Sequence, residues 1–247
     1  MPKVLAFIPA RYASTRFPGK PLIDLKGKPM VQRVWEQARK AKGVDAVYVA
    51  TDDQGIATVV RAFGGEALMT PVACPTGTDR LAAGLKQLKG VQPSDIIVNV
   101  QGDEPLLPPS MIELVVKALK ATGAPMATLA RPLSQAEYLD PNKVKVLWDG
   151  KGLALYFSRA PIAFHRDKPG RMPLGLRLGL HVGLYAYRAG FLKELAKAKP
   201  TALEMAENLE QLRVLDQGER IAVAFTKALS VAIDTPADAA KVRKLLR

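Results

Sequence analysis

Short apolar runs alternate with helix-patterned segments along the first half of this chain, and that alternation constrains its fold most strongly. Parallel strands need a long crossover connection, which is usually a helix, so this order predicts an α/β fold with a mainly parallel sheet. Between the runs, apolar residues recur at helical spacing, as at Ile56, Val60 and Phe63. The runs that predict buried strands are residues 4–8, 46–50, 96–100 and 126–129.

The pattern changes after about residue 130. Residues 143–148 and 153–157 flank Asp149-Gly150-Lys151-Gly152, a turn-rich sequence that predicts a hairpin and hence added antiparallel strands. Residues 164–180 lack periodicity and indicate a long irregular loop. The remaining predicted elements are a strand at 181–187, helices at 191–196 and 203–215, a strand at 221–225 and a closing helix at 235–246.

Length and composition limit the number of domains, the cysteine chemistry and the cellular compartment. The 247 residues are 48% hydrophobic, enough for a sizeable core in one domain over 1–247 or in two small domains. A single cysteine, Cys74, permits no internal disulfide or cysteine-ligated metal. No secretory segment or membrane span is recognisable, so we expect a cytoplasmic protein without a membrane partner.

The net charge of +13 is concentrated near the start of the chain. Residues 1–43 hold ten lysines and arginines against two acids. Aromatic residues make up only 6% of the chain, and no known nucleic-acid-binding motif is present. This distribution favours a site for anionic small molecules over nucleic acid.

A basic, turn-rich loop, residues 9–20, directly follows the first predicted strand. It carries Arg11, Arg16 and Lys20 together with the hydroxyls of Ser14 and Thr15. Open α/β sheets bind ligands beyond the carboxyl ends of their strands, and arginine and lysine offset phosphate charge. The loop therefore indicates a polyphosphate site, with a solvated basic turn as the alternative.

Two aspartates are candidates for a metal site. Asp103 follows the strand at 96–100, and Asp234 precedes the last helix. Mg²⁺ commonly takes one or two carboxylates plus substrate phosphate, which suits two separated aspartates. The alternative for Asp234 is a helix N-cap, and Asp52 and Asp53 are interpreted as structural.

Several motifs, in order, resemble the 3-deoxy-manno-octulosonate cytidylyltransferase family. The resemblance runs almost from end to end. The motifs are IPARYASTR (8–16), PGKPL (18–22), TGTDR (76–80), VNVQGDEP (98–105), LYFSRA (155–160), HVGLYAYR (181–188), LEQLRVL (209–215) and DTP (234–236).

The resemblance implies a single-domain nucleotide-diphospho-sugar transferase fold, Rossmann-like, and a homodimer. It implies coupling of CTP to the acidic sugar 3-deoxy-manno-octulosonate (Kdo), giving CMP-Kdo and pyrophosphate for lipopolysaccharide biosynthesis. It also implies Mg²⁺ as cofactor, and a region of sugar binding and dimerisation at about 130–215.

The resemblance also assigns roles to individual residues by matching motif. For the nucleotide it implies Arg11, Ser14, Lys20, Arg80 and Gln101. For Mg²⁺ it implies Asp103 and Asp234, which with Lys20 form the catalytic set. For the sugar it implies Arg159, His181, Tyr185, Glu210 and Gln211, with Arg159 as the partner of the sugar carboxylate.

Two other kinds of protein remain as alternatives. One is a nucleotide-binding regulator without turnover, against which the combined metal and sugar residues weigh. The other is a basic nucleic-acid-binding protein, which a strong, salt-dependent affinity for DNA or RNA would support.

Overall fold

The computed structural model describes residues 1–13 and 17–246 and has the expected α/β architecture with a mixed, mainly parallel sheet. Ser14, Thr15 and Arg16, which the sequence assigns to the phosphate loop, lie outside the described residues. The strands are β1 Val4–Ala10, β2 Ala46–Thr51, β3 Glu66–Met69, β4 Ile96–Asn99, β5 Met126–Arg131, β6 Lys145–Trp148, β7 Ala154–Ser158, β8 Leu178–Arg188 and β9 Ile221–Phe225. The helices are α1 Met30–Lys40, α2 Gln54–Ala62, α3 Gly77–Leu85, α4 Pro109–Thr122, α5 Gln135–Leu139, α6 Ala189–Leu195, α7 Ala202–Glu207, α8 Gln211–Asp216 and α9 Pro236–Leu245, with a short 3-10 helix at Lys20–Leu22.

Internal contacts divide the chain into two compact units, and the prediction of a single domain stays a prediction. The first unit comprises Met1–Glu113, Arg188–Ala196 and Leu229–Arg247. The second comprises Leu114–Tyr187 and Lys197–Ala228.

The first unit contains parallel strands in the order β3-β2-β1-β4. β1 lies between β2 and β4, and its apolar side chains are almost all buried. Two carboxylates fix its amino end, because Asp95 Oδ1 accepts from Lys3 N at 2.8 Å and Asp45 Oδ2 accepts from Val4 N at 2.7 Å. The carboxyl ends of these parallel strands therefore lie along one edge, where the sequence places its polar residues.

β3 is a strand that the sequence pattern does not predict. It has only four residues, and their side chains are exposed or half-buried. Its one partner among the described strands is β2, so it lies at an edge. A short edge strand needs no buried apolar run, and its sequence carries little signal.

The second unit contains the predicted hairpin. β6 and β7 pair in antiparallel fashion, and Asp149 Oδ1 accepts from the backbone of Lys151 and Leu153 within the turn. Gly152 adopts φ +77°, a conformation that favours glycine. β6 also pairs with β8, while β5 pairs with β8 in antiparallel and with β9 in parallel orientation.

The prediction of one helix over 203–215 is wrong. α7 ends at Glu207, Asn208 adopts the left-handed conformation with φ +50°, and α8 begins at Gln211. Asparagine tolerates this conformation better than most residues, which explains a stop without glycine. Glu210 and Gln211 therefore lie at the start of a new helix rather than within a continuous one.

Candidate active site

Lys20 lies between the two aspartates that the sequence singles out. Its Nζ is 2.9 Å from Asp103 Oδ2 and 3.4 Å from Asp234 Oδ1. Gly19 precedes it with φ +69°, and Gly19 N donates to Tyr12 O at 3.1 Å, which turns the chain back toward the sheet. Three residues separated by up to 214 positions thus form one cluster in the first unit.

Gly102 sets the position of Asp103. A Cβ built on Gly102 would lie 2.7 Å from Pro9 O, the backbone of β1. Only glycine permits this close approach of the turn after β4 to β1. Asp103 is thereby placed next to the loop that carries Lys20.

Replacing Gly102 by alanine is expected to displace this turn and lower activity more than stability. The added methyl group meets a backbone oxygen, which cannot rotate away, so the turn and Asp103 must move. We expect kcat/KM to fall by about 10²-fold, as for a shift of about 1 Å in a reacting group. Steady-state kinetics and thermal unfolding measure both effects. The control is Gly150→Ala, where a Cβ meets nothing within 4 Å; equal activity of the two variants would contradict the role of Gly102.

Asp234 is held beside Asp103 by the backbone. Ile233 N donates to Asp103 O at 2.9 Å, which joins the segment before α9 to the turn after β4. Thr235 is the N-cap of α9, and its side chain accepts from Asp238 N in a capping box. The alternative interpretation of Asp234 as the N-cap is therefore wrong, since the next residue fills that position.

The two aspartates are compatible with a bound divalent cation. Both carboxylates face the same cationic group, the Lys20 ammonium, and together they carry one more negative charge than that ammonium offsets. The described part of the chain contains no group of three or more histidine, cysteine or acidic side chains suited to a metal. Two carboxylates completed by phosphate oxygens and water is the arrangement that Mg²⁺ prefers.

The other residues assigned to the nucleotide have different surroundings. Arg11 is exposed, and Gln101 follows β4. Arg80 is buried on α3, where Nη1 donates to Thr70 Oγ1 at 2.7 Å and Nη2 to Asp52 Oδ2 at 2.9 Å. Asp52 and Arg80 thus connect the polar ends of β2 and β3 to α3.

Asn99 is a candidate that sequence reasoning missed. It ends β4 and is buried, yet its Oδ1 has no hydrogen-bond partner among residues 1–13 and 17–246. A buried amide oxygen without a partner is costly unless a ligand or water completes it. The signal in the sequence was a polar residue at the end of an otherwise apolar run.

His181, in the second unit, is held by a buried threonine. His181 Nε2 lies 3.0 Å from Thr128 Oγ1, which also lies 3.0 Å from Val182 O and from Leu184 O. The carbonyl oxygens only accept, so the threonine hydroxyl, with its single proton, donates to one of them and accepts from the imidazole. This assignment leaves Nδ1 as the accepting nitrogen of a neutral ring. Thr128 was missed because one threonine in an apolar strand is typical of core.

A bulge in β8 brings Tyr185 to His181. In the β5–β8 pairing Thr128 faces Tyr185 and Leu129 faces Val182, so extra residues lie on β8. Four residues of regular strand span about 13 Å, whereas the ring centroids of His181 and Tyr185 are 5.4 Å apart. The bulge therefore accounts for the contact between the two rings.

Burial sets the protonation states of both rings. Desolvation lowers the pKa of His181 to about 3, so the imidazole is neutral at physiological pH. Desolvation, together with Tyr187 and Glu210, raises the pKa of Tyr185 well above its usual value. Both rings therefore act as neutral hydrogen-bonding groups.

The low pKa of His181 makes stability depend on pH in one direction. In the unfolded chain this histidine takes up a proton below about pH 6.5, and in the folded protein only near pH 3. The folded state is thus penalised as pH falls from about 6.5 toward 3, with a limiting slope of about 1.4 kcal/mol per pH unit. Denaturant unfolding at about pH 5 and pH 7 should show a larger loss for the wild type than for His181→Gln. The other histidine gives the control, His165→Gln, and equal losses in all three proteins would refute the assignment.

Gln211 presents a buried amide next to Tyr185. Tyr185 OH donates to Gln211 Oε1 at 3.4 Å. Gln211 Nε2 is buried and has no hydrogen-bond partner in the part of the chain that the structure describes. Glu210, the adjacent residue, is exposed. An amide donor is thus available to a ligand beside the two neutral rings.

Arg159, expected to bind the sugar carboxylate, contacts carbonyl oxygens in this structure. Its Nε donates to Glu207 O at 2.7 Å, Nη2 to Asn208 O at 3.4 Å and Nη1 to Pro141 O at 3.2 Å. The guanidinium therefore lies across the end of α7, immediately before Glu210 and Gln211.

The fold and the candidate site together indicate the class of protein to which this chain belongs. Parallel strands followed by a basic loop, with a lysine between two aspartates, are the features of a nucleotide-binding α/β protein that handles phosphate groups. The cytidylyltransferase family model matches residues 5–221.

Individual relatives agree over nearly the whole chain. It is 51% identical over 243 residues to 3-deoxy-manno-octulosonate cytidylyltransferase of Aliivibrio fischeri (strain MJ11), covering 97% of each chain. It is 51% identical over 253 residues to the protein of that name from Geotalea uraniireducens (strain Rf4), covering 99% of each chain. The chain belongs to the cytidylyltransferase family, and the resemblance seen in its motifs is confirmed.

Solved structures show the same relationship. CMP:2-keto-3-deoxy-manno-octonic acid synthetase complexed with CTP matches with a TM-score of 0.90 and 41% identity, covering 98% of each chain. 4-Diphosphocytidyl-2C-methyl-D-erythritol synthase matches with a TM-score of 0.65 and 18% identity, which shows a shared fold.

None of the helices in the described residues has the length and hydrophobicity that a bilayer crossing requires.

Proposed function

We propose that this protein couples CTP to Kdo, releasing pyrophosphate and forming CMP-Kdo. The observation that carries the proposal is the contact of Lys20 with both Asp103 and Asp234 in a chain that is 51% identical to enzymes of that name. A regulator that only binds nucleotide has no need of this arrangement together with the polar groups of the second unit.

The first unit provides the groups that a triphosphate requires. In the reaction a sugar hydroxyl oxygen bonds to the α-phosphorus of CTP and gives up its proton to solvent, while the bond from that phosphorus to the pyrophosphate oxygen breaks. Both substrates are anions, so the residues must offset charge and align the reacting atoms. Lys20 donates to phosphate oxygens, and Arg11 adds a second cation from the same loop. Asp103 and Asp234 would hold Mg²⁺, which when bound neutralises triphosphate charge and orients its oxygens.

The second unit provides groups suited to a polyhydroxylated acid. The neutral His181 offers an acceptor at Nδ1, Gln211 offers a donor at Nε2, and Glu210 offers acceptors for hydroxyl protons. Tyr185 packs beside the imidazole. Arg159 provides the positive charge that a sugar carboxylate requires.

We also propose Mg²⁺ dependence, a cytoplasmic setting and a homodimer. Two carboxylates beside a phosphate site support the Mg²⁺ dependence, and the use of CTP as substrate supports the cytoplasmic setting.

Large exposed apolar side chains of the second unit support the homodimer: Leu155, Phe164, Leu174, Leu176 and Met205. Light scattering after gel filtration measures the oligomeric state, and a monomer at micromolar concentration would contradict the dimer.

The test is pyrophosphate release from purified protein with Mg²⁺. CTP, UTP and ATP are each combined with Kdo, its 8-amino analogue, a sialic acid or no sugar. We expect release only with CTP and Kdo. Pyrophosphate release with only another sugar acid would show that the enzyme is specific for that sugar instead of Kdo. CTP binding without pyrophosphate release from any pair would support a nucleotide-binding regulator instead.

A further inference from the structure

Lys145 is a fully buried lysine that the proposed reaction does not use. It begins β6, faces Ser158 of β7 and Leu180 of β8, and is 0% exposed. Lysine is rarely buried without compensation. Here all three ammonium protons have acceptors: Asp140 O at 3.0 Å, Lys143 O at 2.7 Å and Arg159 O. The site is built to hold these backbone oxygens in place.

Glu207 holds the same segment from the other side. Its Oε2 accepts from Arg159 N at 2.8 Å, and its Oε1 accepts from Ser158 Oγ at 2.6 Å. Its own carbonyl oxygen accepts from Arg159 Nε at 2.7 Å. The backbone nitrogen, the backbone oxygen and the guanidinium of Arg159 are therefore all fixed by Lys145 or Glu207.

The same contacts fix the start of α8. Glu207 ends α7, and Asn208, whose carbonyl oxygen accepts from Arg159 Nη2, makes the left-handed turn. Glu210 and Gln211 follow within three residues of this turn. A shift of Glu207 therefore moves Arg159 and both of these residues together.

We propose that Lys145 and Glu207 are positioning residues for the sugar acid, which hold Arg159, Glu210 and Gln211 in one geometry without touching the substrate. This inference rests on the proposed function of the second unit. Burial lowers the pKa of Lys145, with Asp140 and Glu207 opposing that shift. Without the Lys145 ammonium, the carbonyl oxygen of Arg159 loses its hydrogen-bond donor. Without the Glu207 carboxylate, the backbone nitrogen of Arg159 loses its acceptor. Removing either positioning residue therefore affects Arg159 directly.

The test separates sugar binding from nucleotide binding. Glu207→Gln and Lys145→Met are compared with the wild type for the KM of Kdo at saturating CTP and the KM of CTP at saturating Kdo. We expect the KM of Kdo to rise about 10- to 100-fold, the range for removing the hydrogen-bond partner of a metal-binding side chain. The KM of CTP should stay within about twofold. Exposed residues of the second unit give the controls Glu219→Gln and Lys227→Met, for which both constants should stay unchanged.

A second readout needs no substrate. In arginine-labelled protein, the Arg159 Nε–H should exchange slowly with solvent in the wild type and faster in Glu207→Gln. Folded, active variants with an unchanged KM for Kdo, or fast exchange in the wild type, would overturn the positioning role. Absence of turnover in the wild type with any sugar acid would instead contradict the proposed function. If Lys145→Met fails to fold, Glu207→Gln carries the test alone.

Discussion

Asp103→Asn is expected to lower kcat by about 10²- to 10³-fold, the range seen when one electrostatic stabiliser of a transition state is removed. The substitution keeps the shape of the side chain but removes its charge, so Lys20 loses its closer carboxylate at 2.9 Å and a divalent cation loses a ligand. Pyrophosphate release at saturating substrates, measured across a Mg²⁺ titration, gives the effect. Full activity at saturating Mg²⁺ would contradict the role of Asp103.

The control for this variant is Asp216→Asn. Asp216 is an exposed aspartate at the end of α8, where removal of a negative charge is tolerated. We expect its kcat to match the wild type. The comparison separates loss of the Asp103 carboxylate from a general change in net charge.

Glu204→Gln is expected to lower the free energy of unfolding by about 3–5 kcal/mol, the range for removing one partner of a buried ion pair. Glu204 and Arg213 are both buried, and their two hydrogen bonds are each 2.6 Å long. The pair joins α7 to α8, so Arg213 would remain buried with a neutral partner. Chemical denaturation measures the change.

Two further variants test whether the effect comes from the unpaired charge. Glu194→Gln, an exposed glutamate on α6, should unfold like the wild type. The double variant Glu204→Leu with Arg213→Met should recover part of the loss, because it removes both charges. A wild-type unfolding free energy for Glu204→Gln would show that the pair contributes nothing.

The sequence predicted the elements whose signal is local. β1, β2, β4 and β9 are apolar runs, and the β6–β7 hairpin has a glycine-rich turn. β3 lacks such a run, because an edge strand of four residues has little to bury. The break between α7 and α8 at Asn208 is not visible in the sequence pattern either, because the helical spacing of apolar residues continues across it.

The site could be predicted only in part. Spacing cannot show that Lys20, Asp103 and Asp234 meet, because the register of the sheet and the Ile233–Asp103 hydrogen bond bring them together. The family resemblance supplied that set. It assigned Arg159 to the sugar but could not show that its guanidinium contacts the end of α7. Thr128 and Lys145 were missed because their functions lie in contacts with other residues.

The most direct test of the proposed function follows the α-phosphorus of CTP. CTP labelled at that atom is incubated with Kdo, Mg²⁺ and the purified protein, and the products are separated. We expect the label in a CMP-sugar, with unlabelled pyrophosphate formed in equal amount. Label that stays in CTP, or a γ-phosphate label that appears on the sugar, would contradict attack at the α-phosphorus and with it the proposed function.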